Sequence, residues 1–137
     1  MNTTFMKGQQ VTIVRCWDND GMVSTRRAVV ASAGKKRMTL VDAESGHMIG
    51  RDFSPRWIDG QEHPPVIPTV DDAEVLAAAL AMGRAKIDEE IRSALRLANH
   101  YRASQWPRNA ESFEERANAL RTAEPKAARY YDLIAAV

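Results

Sequence analysis

The residues of this sequence best suited to binding chemistry are basic and aromatic. Five basic residues lie close together in the chain: Arg26, Arg27, Lys35, Lys36 and Arg37. If the turn between the two basic groups pairs their segments as an antiparallel hairpin, the groups meet and form one cationic patch. Such a patch can contact a phosphate backbone or an acidic protein surface, and a nearby indole can stack on a base. The sequence therefore predicts partner binding through this patch, with Trp17 as a stacking platform.

A purely structural interpretation of the same residues stays open. Lysines and arginines protect exposed strand edges from pairing with other chains. Aromatic residues such as Trp17, Phe53 and Trp57 can fill the core of a small sheet. The basic and aromatic residues alone do not decide between these two interpretations.

Residue patterns typical of metal sites and of nucleophilic catalysis are missing from the sequence. Three histidines, His47, His63 and His100, lie in different segments, and Cys16 is the single cysteine. This spacing does not match a zinc site, and no serine or cysteine elbow or glycine-rich phosphate loop is present. We therefore expect no metal, no cofactor and no catalytic residue. An enzyme without a recognisable motif stays an alternative.

Other polar features have simpler explanations. The segment Asp18-Asn19-Asp20-Gly21 is similar to part of a calcium loop, but Arg27 stands where that loop requires a carboxylate, so we interpret it as a hairpin turn. Asp88, Glu89 and Glu90 occupy consecutive helical positions that point in different directions, which is typical of a solvated face. Cys16 lies within an apolar strand, where a small buried residue is a better interpretation than a reactive thiol.

Length and composition favour one small globular protein. The chain has 137 residues, 45% of them hydrophobic and 27% charged, with a net charge of +1. Residues 1–60 carry nine basic and six acidic residues (+3), and residues 61–137 carry ten and twelve (−2). This mild asymmetry permits a nucleic acid or acidic protein as the partner of the first part. No apolar stretch approaches the roughly 20 residues that span a bilayer, so we expect no membrane partner and a cytoplasmic location.

The first sixty residues have the pattern of short strands separated by turns. The predicted strands are Val11–Trp17, Val23–Ala31, Arg37–Val41 and His47–Phe53. They are rich in β-branched and aromatic residues, whereas the segments between them are rich in glycine, asparagine and aspartate. So small a sheet covers its apolar face best when it curls, and closing it into a barrel achieves this.

The segment Lys7-Gly8-Gln9-Gln10-Val11-Thr12-Ile13-Val14, in which a glycine turn leads into an apolar strand, resembles the first strand of SH3-like small barrels. The resemblance covers residues 5–58. It implies an SH3-like β-barrel, a fold that often holds a nucleic-acid backbone and stacks a base.

Prolines at positions 64, 65 and 68 predict a linker, because they exclude a helix and a central strand. Beyond them Thr69 or Asp71 can cap a helix of about thirty residues, since no proline follows until Pro107. Its apolar stripe contains Leu76, Leu80, Gly83, Ile87, Ala94, Ala98 and Tyr101, flanked by Ile91 and Leu95. A second helix is predicted from Asn109 or Ser112 and a short third one from Pro125 onward.

The helical part offers a second candidate interface. Arg84, Arg92 and Arg96 lie opposite the apolar stripe, either as a solvated face with ion pairs such as Asp88 to Arg92 or as a docking surface. Trp106 lies at the junction of two helices, where an indole either fills the hairpin or anchors an interface. Both alternatives stay open for each feature.

These observations predict an α+β protein with three parts. Residues 1–62 form an SH3-like β-barrel, residues 63–69 a proline-rich linker, and residues 70–137 an α-helical hairpin with a short third helix. In size and style the chain resembles small phage or mobile-element accessory proteins, including anti-CRISPR inhibitors. We therefore expect a non-enzymatic binding protein that engages a nucleoprotein complex or a nucleic acid through its basic barrel surface. The alternative is a structural or adaptor protein that forms homodimers through its long helix.

Overall fold

The computed structural model describes residues 2–18, 20–58 and 64–136. In these residues the strands are β1 (Asn2–Thr4), β2 (Gln10–Cys16), β3 (Met22–Ala33), β4 (Met38–Asp42), β5 (Met48–Phe53), β6 (Arg56–Ile58), β7 (Val66–Ile67) and β8 (Lys126–Arg129). The helices are α1 (Asp72–Ala103), α2 (Pro107–Arg121) and α3 (Tyr130–Ala135). The α+β class is confirmed, with a largely antiparallel sheet before two long helices and a short third one.

Most strands belong to one sheet, which runs in the order β5-β4-β3-β2-β7. The long strand β3 pairs antiparallel with β4 through residues 28–33 and parallel with β8 through residues 22–25. β1 and β6 form a separate two-stranded sheet. Within the described residues the outer strands β5 and β7 do not pair with each other, so the sheet stays open. The predicted SH3-like barrel is therefore not confirmed.

The third helix begins at Tyr130 and not at Pro125. The four residues before it, Lys126–Arg129, are extended as β8, and the Lys126 N–H donates to the Gly21 carbonyl at 2.9 Å. The reason lies in β3, whose first residues extend past the end of β4 and leave one edge without a partner strand. Because unpaired backbone groups are costly when buried, that edge is better satisfied by a strand than by an isolated helix turn.

The segment predicted as a linker contributes to the same sheet. Val66 and Ile67 form β7, which pairs with β2, and both side chains are buried. Position 63 of the predicted linker lies outside the described residues. Strands that precede, lie within and follow residues 63–69 thus share one sheet. The boundaries of the predicted barrel, linker and helical part stay predictions.

The sheet has two apolar faces because successive strand residues point to opposite sides. On the first face a core forms around Val11, Ala28, Val30, Met38 and Leu40, with Phe5 and Val66 added from neighbouring segments. On the second face Val14, Val23 and Ile67 pack against Ala79 and Met82 of α1. Helix α1 therefore covers one face only, and this leaves part of the first face available for a site.

Helix α1 starts where the sequence predicts. The Asp71 carboxylate accepts a hydrogen bond from the Glu74 N–H at 3.0 Å, which identifies Asp71 as the N-cap rather than Thr69. The buried positions Gly83, Ile87, Ala94 and Ala98 confirm the middle and the end of the predicted stripe. Leu76 is exposed instead, and Ala79 and Met82 take the contact with the sheet.

The exposure of Leu76 follows from the unequal lengths of the two long helices. Helix α2 has 15 residues and α1 has 32, so α2 spans about 22 Å and α1 about 48 Å. α2 therefore covers only the half of α1 next to their connection, where Tyr101 stacks on Phe113 with ring centroids 5.5 Å apart. α2 begins at Pro107, two residues earlier than predicted, because proline fits the first turn of a helix.

Candidate binding cleft

The two predicted basic groups lie at opposite ends of the β3–β4 hairpin. The turn closes with the Gly34 N–H donating to the Arg37 carbonyl at 2.8 Å, which places Lys35 and Lys36 at its tip. Arg26 lies nine residues earlier in the chain, about 30 Å away along an extended strand. It is next to the other turn, where the Ala43 N–H donates to the Arg27 carbonyl at 3.1 Å. The structure thus does not bring these residues into a single patch.

Three of the predicted cations form ion pairs with carboxylates of the same chain, and two of these pairs, those of Arg27 and Arg37, lie at the surface. A guanidinium nitrogen of Arg27 lies 2.9 Å from an oxygen of Asp72, and one of Arg37 lies 3.4 Å from an oxygen of Asp52. Both pairs are exposed, so each contributes only about 0–1 kcal/mol and can exchange for another partner. Among the described residues, Lys35 and Lys36 form no ion pair and remain solvated at the hairpin tip.

Arg26 lies in a different environment, between a buried carboxylate and two tyrosine rings. Its Nε donates to Oδ2 of Asp42 at 2.7 Å, and the Asp42 side chain is fully buried. Its guanidinium carbon lies 4.1 Å from the ring centroid of Tyr130 and 5.7 Å from that of Tyr131. Attraction between the cation and the ring faces adds to the ion pair. Arg26 therefore joins β3, the end of β4 and α3.

Asp42 stays ionised in this position because of its hydrogen bonds. Burial alone would raise its pKa, but the Ser45 N–H, the Arg26 side chain, the Tyr131 hydroxyl and the Glu44 N–H all stabilise the charged form. Together these donors hold the pKa of Asp42 well below its usual range. Burial lowers the pKa of Arg26, but the hydrogen bond and the charge of Asp42 outweigh that effect, so the pKa is raised overall. The pair is permanently charged at neutral pH.

A cleft of about 640 Å³ opens beside Arg26 on the first face of the sheet. Its walls come from β2, β3, β5, α3 and the segment before β7. The lining is mainly apolar and aromatic, with Ile13, Val14, Trp17, Ile49, Phe53, Pro65, Tyr130 and Ile134, and its other members are Arg15, Cys16, Ser24 and Arg26. No described carboxylate lines this cleft. Its shape and composition are typical of a binding site for a ligand with an apolar body and an anionic group.

Arg15 and Trp17 line this cleft, and both are exposed. Arg15 follows Ile13 by two positions on β2, so it shares the first face of the sheet with Ile13, and Trp17 comes next after the strand ends. The Trp17 side chain is 42% exposed, and one of its neighbours is the Tyr130 ring, 6.3 Å away between centroids. Among the described residues Arg15 forms no ion pair, so its charge is available to a ligand.

Sequence analysis identified Trp17 and Arg26 but missed Arg15. The signal was present, because alternation along β2 places Arg15 on the same face as Ile13 once the strand is recognised. Tyr130 and Ile134 could not be found in this way. They reach the cleft only through the pairing of β8 with β3, which joins residues about one hundred positions apart.

A smaller cavity of about 310 Å³ lies where α1 begins, near the β4–β5 turn. The charged side chains lining it are mostly paired, Arg27 with Asp72 and Arg129 with Glu44 at 2.8 Å. These pairs join β3 to α1 and β8 to the β4–β5 turn. The cavity is therefore best explained as an ionic junction between the sheet and the helices.

The predicted interface on the helices is exposed but dispersed. Arg84, Arg92 and Arg96 lie on the outer side of α1. The ion pairs within α1 join Lys86 to Glu89 and Glu90, and the predicted pair of Asp88 with Arg92 is not among the ion pairs of the described residues. Trp106 lies at the N-cap of α2 and is 62% exposed, which shows that it does not fill the hairpin.

Cys16 is half-buried among the apolar residues of the second face. Burial raises the pKa of its thiol, which favours the unreactive protonated form. In the described part of the chain no group of three histidine, cysteine or acidic side chains is arranged to hold a metal ion. No described helix is both long and apolar enough to cross a bilayer.

Comparison with known proteins gives no relative. No family model matches the chain, and neither a curated protein nor a solved structure matches it significantly. The resemblance to SH3-like barrels and to anti-CRISPR inhibitors therefore stays a prediction, and the function has to be argued from the cleft itself.

Proposed function

We propose that this protein is a non-enzymatic binding protein that holds a single-stranded nucleic acid, alone or within a nucleoprotein complex, in the cleft beside Arg26. A base enters the apolar cleft against Trp17, and the adjoining phosphate lies near Arg15. The observation that carries the proposal is the composition of the cleft, whose lining combines aromatic rings with the two charged side chains Arg15 and Arg26 and contains no described acid.

The aromatic walls favour a planar ligand. Trp17 is exposed, and Tyr130 and Phe53 are further aromatic residues of the lining. Stacking of a base on an aromatic side chain contributes about 1–3 kcal/mol per base and tolerates any sequence. A base in a duplex has no exposed ring face, so the same geometry favours single strands over double strands.

The charges favour an anionic ligand. Arg15 forms no ion pair among the described residues, whereas Arg27 and Arg37 are each matched by a carboxylate. Arg15 can therefore contact a phosphate without first losing a partner. The Arg26 guanidinium is held by Asp42 but carries further N–H groups, and it adds a hydrogen-bond donor at the back of the cleft.

This proposal differs from the expectation of a basic hairpin surface. Lys35, Lys36 and Arg37 lie at the far end of β3, and none of them lines the cleft, although Phe53 of its lining pairs with Met38 next to Arg37. They can add to the long-range attraction of a nucleic acid, but they offer no ring on which a base can stack. The cleft offers both the charge and the aromatic surface in one place.

The proposal is tested by fluorescence anisotropy with a labelled twelve-nucleotide thymidine strand and with a duplex of the same length. We expect the single strand to bind more tightly than the duplex. Trp17→Ala should weaken single-strand binding by roughly tenfold or more, the loss of one stacked base. Arg15→Ala should weaken it less and should lower the slope of log affinity against log salt by about 0.7, the value for one phosphate contact on a single strand.

Two matched variants serve as controls. Trp106→Ala removes an exposed indole from the helical hairpin, and Arg92→Ala removes an exposed guanidinium from α1. Neither side chain lines the cleft, so both variants should bind like the wild type. Equal losses for Trp17→Ala and Trp106→Ala, or tighter binding of the duplex, would contradict the proposal.

A further inference from the structure

Helix α3 forms one wall of the cleft and is held there by side-chain contacts of Tyr130 and Tyr131 with Arg26 and Asp42. Tyr130 and Ile134 line the cleft from this wall, and none of the residues of α3 is buried. A helix of six residues is too short to be stable by itself, so its position depends on its side-chain contacts with the sheet. Release of α3 from the cleft therefore requires these contacts to break.

The contacts of Tyr130 are of the same kind as those that a bound base would make. Its ring leans on Trp17, with centroids 6.3 Å apart and planes at 57°, and its face lies 4.1 Å from the guanidinium carbon of Arg26. Bases of single-stranded nucleic acids are held by the same two groups, aromatic rings and arginine guanidinium planes. Tyr130 therefore fills the position between Trp17 and Arg26.

We infer that α3 is an autoinhibitory element, in which Tyr130 occupies the base-binding position between Trp17 and Arg26 and must leave before a nucleic acid can bind fully. This inference rests on the proposed function of the cleft. A base of the nucleic acid then competes with the Tyr130 ring for this position. The apparent association constant equals that of the protein with α3 released, multiplied by the fraction of molecules in that open form.

The geometry allows α3 to leave without disrupting the sheet. The preceding strand β8 is paired with β3, and Arg129 at its end is held by Glu44 at 2.8 Å. Movement can therefore begin at the bond between Arg129 and Tyr130. Asp42 keeps its hydrogen bonds from the backbone of Glu44 and Ser45, at 2.8 Å each, when the tyrosines depart.

Substitution of Tyr130 tests the inference. Tyr130→Ala removes the competing ring, and we expect the labelled thymidine strand to bind roughly tenfold more tightly, a factor matching the loss of one aromatic and one cation–ring contact. Tyr130→Phe keeps the ring and removes only the hydroxyl, so it should bind like the wild type. Amide hydrogen exchange gives a second readout: addition of the strand to the wild type should speed exchange in residues 131–136.

The outcomes separate this inference from the proposed function. If the wild type binds the strand with loss on Trp17→Ala, but Tyr130→Ala binds equally or more weakly, Tyr130 is a wall of the site and not a competitor, and the inference alone is overturned. Unchanged exchange of α3 on binding overturns it as well. If neither the wild type nor Tyr130→Ala binds the strand, both the inference and the proposed function fall.

Discussion

Removal of the Asp42 carboxylate tests how the cleft is held together. In Asp42→Ala, Arg26 loses the partner 2.7 Å from its Nε, and the backbone N–H groups of Glu44 and Ser45 lose their acceptor at 2.8 Å. Removing one partner of a fully buried ion pair costs about 3–5 kcal/mol. Arg26 is 20% exposed and recovers some hydration, which reduces that cost, whereas the two lost backbone hydrogen bonds add about 1 kcal/mol each. We expect a loss of about 4 kcal/mol.

A loss of this size is a large part of the 5–15 kcal/mol that typically stabilises such a domain. It is measured by urea unfolding followed by circular dichroism, which gives the free energy of unfolding by linear extrapolation. Arg26→Met and the double variant Arg26→Met with Asp42→Ala complete a double-mutant cycle. We expect the double variant to be more stable than the sum of the single losses predicts, by about 2 kcal/mol. A cost below 1 kcal/mol for Asp42→Ala, or additive losses, would refute the account of this pair.

Three further predictions follow from particular contacts. The pKa of Asp42 is lower in the folded chain than its unfolded value of about 3.9. The stability that the Asp42 carboxylate contributes is therefore complete above that pH and is lost as the pH falls below it. The difference in unfolding free energy between wild type and Asp42→Asn should shrink from pH 6 to about pH 3. Gly83→Ala places a methyl group 2.7 Å from the Gly21 carbonyl oxygen. Although alanine has the better helix propensity, this variant should lower the free energy of unfolding in urea by about 1–3 kcal/mol. Equal or higher stability would contradict this close approach. A triple variant with Glu at positions 35, 36 and 37 should lower single-strand affinity less than Trp17→Ala does at moderate salt. Complete loss of binding would indicate that the binding site lies at the hairpin tip.

Local patterns in the sequence were sufficient to predict much of the fold. The alternation of β2 and β4, and the turn residues between the strands, predict β2 to β5 within one or two residues of their observed bounds, whereas the other four strands were not predicted. The Asp71 cap and the lack of proline before Pro107 define α1. Both signals work because each element is determined by residues within a few positions of one another.

Long-range pairings are what the sequence could not provide. The segment Lys126–Arg129 has little strand propensity, and it is extended only because β3 presents an unpaired edge. The same pairing brings Tyr130 to Trp17 and Arg26.

The basic patch illustrates the limit for charged residues. Arg26 and Lys35 are close in sequence, yet most of strand β3 separates them, and Asp42 pairs with Arg26 from the adjacent strand. Sequence counts of basic residues do not reveal which charges are already paired.

Photo-crosslinking of a thymidine strand that carries 5-bromouracil in place of some bases identifies the residue on which a bound base lies. After ultraviolet irradiation, digestion and mass spectrometry, we expect Trp17 to carry the crosslink and Trp17→Ala to abolish it. Crosslinks confined to Trp106 or to the hairpin tip at Lys35–Arg37, with the cleft unmarked, would contradict the claim that this cleft receives a nucleic-acid base.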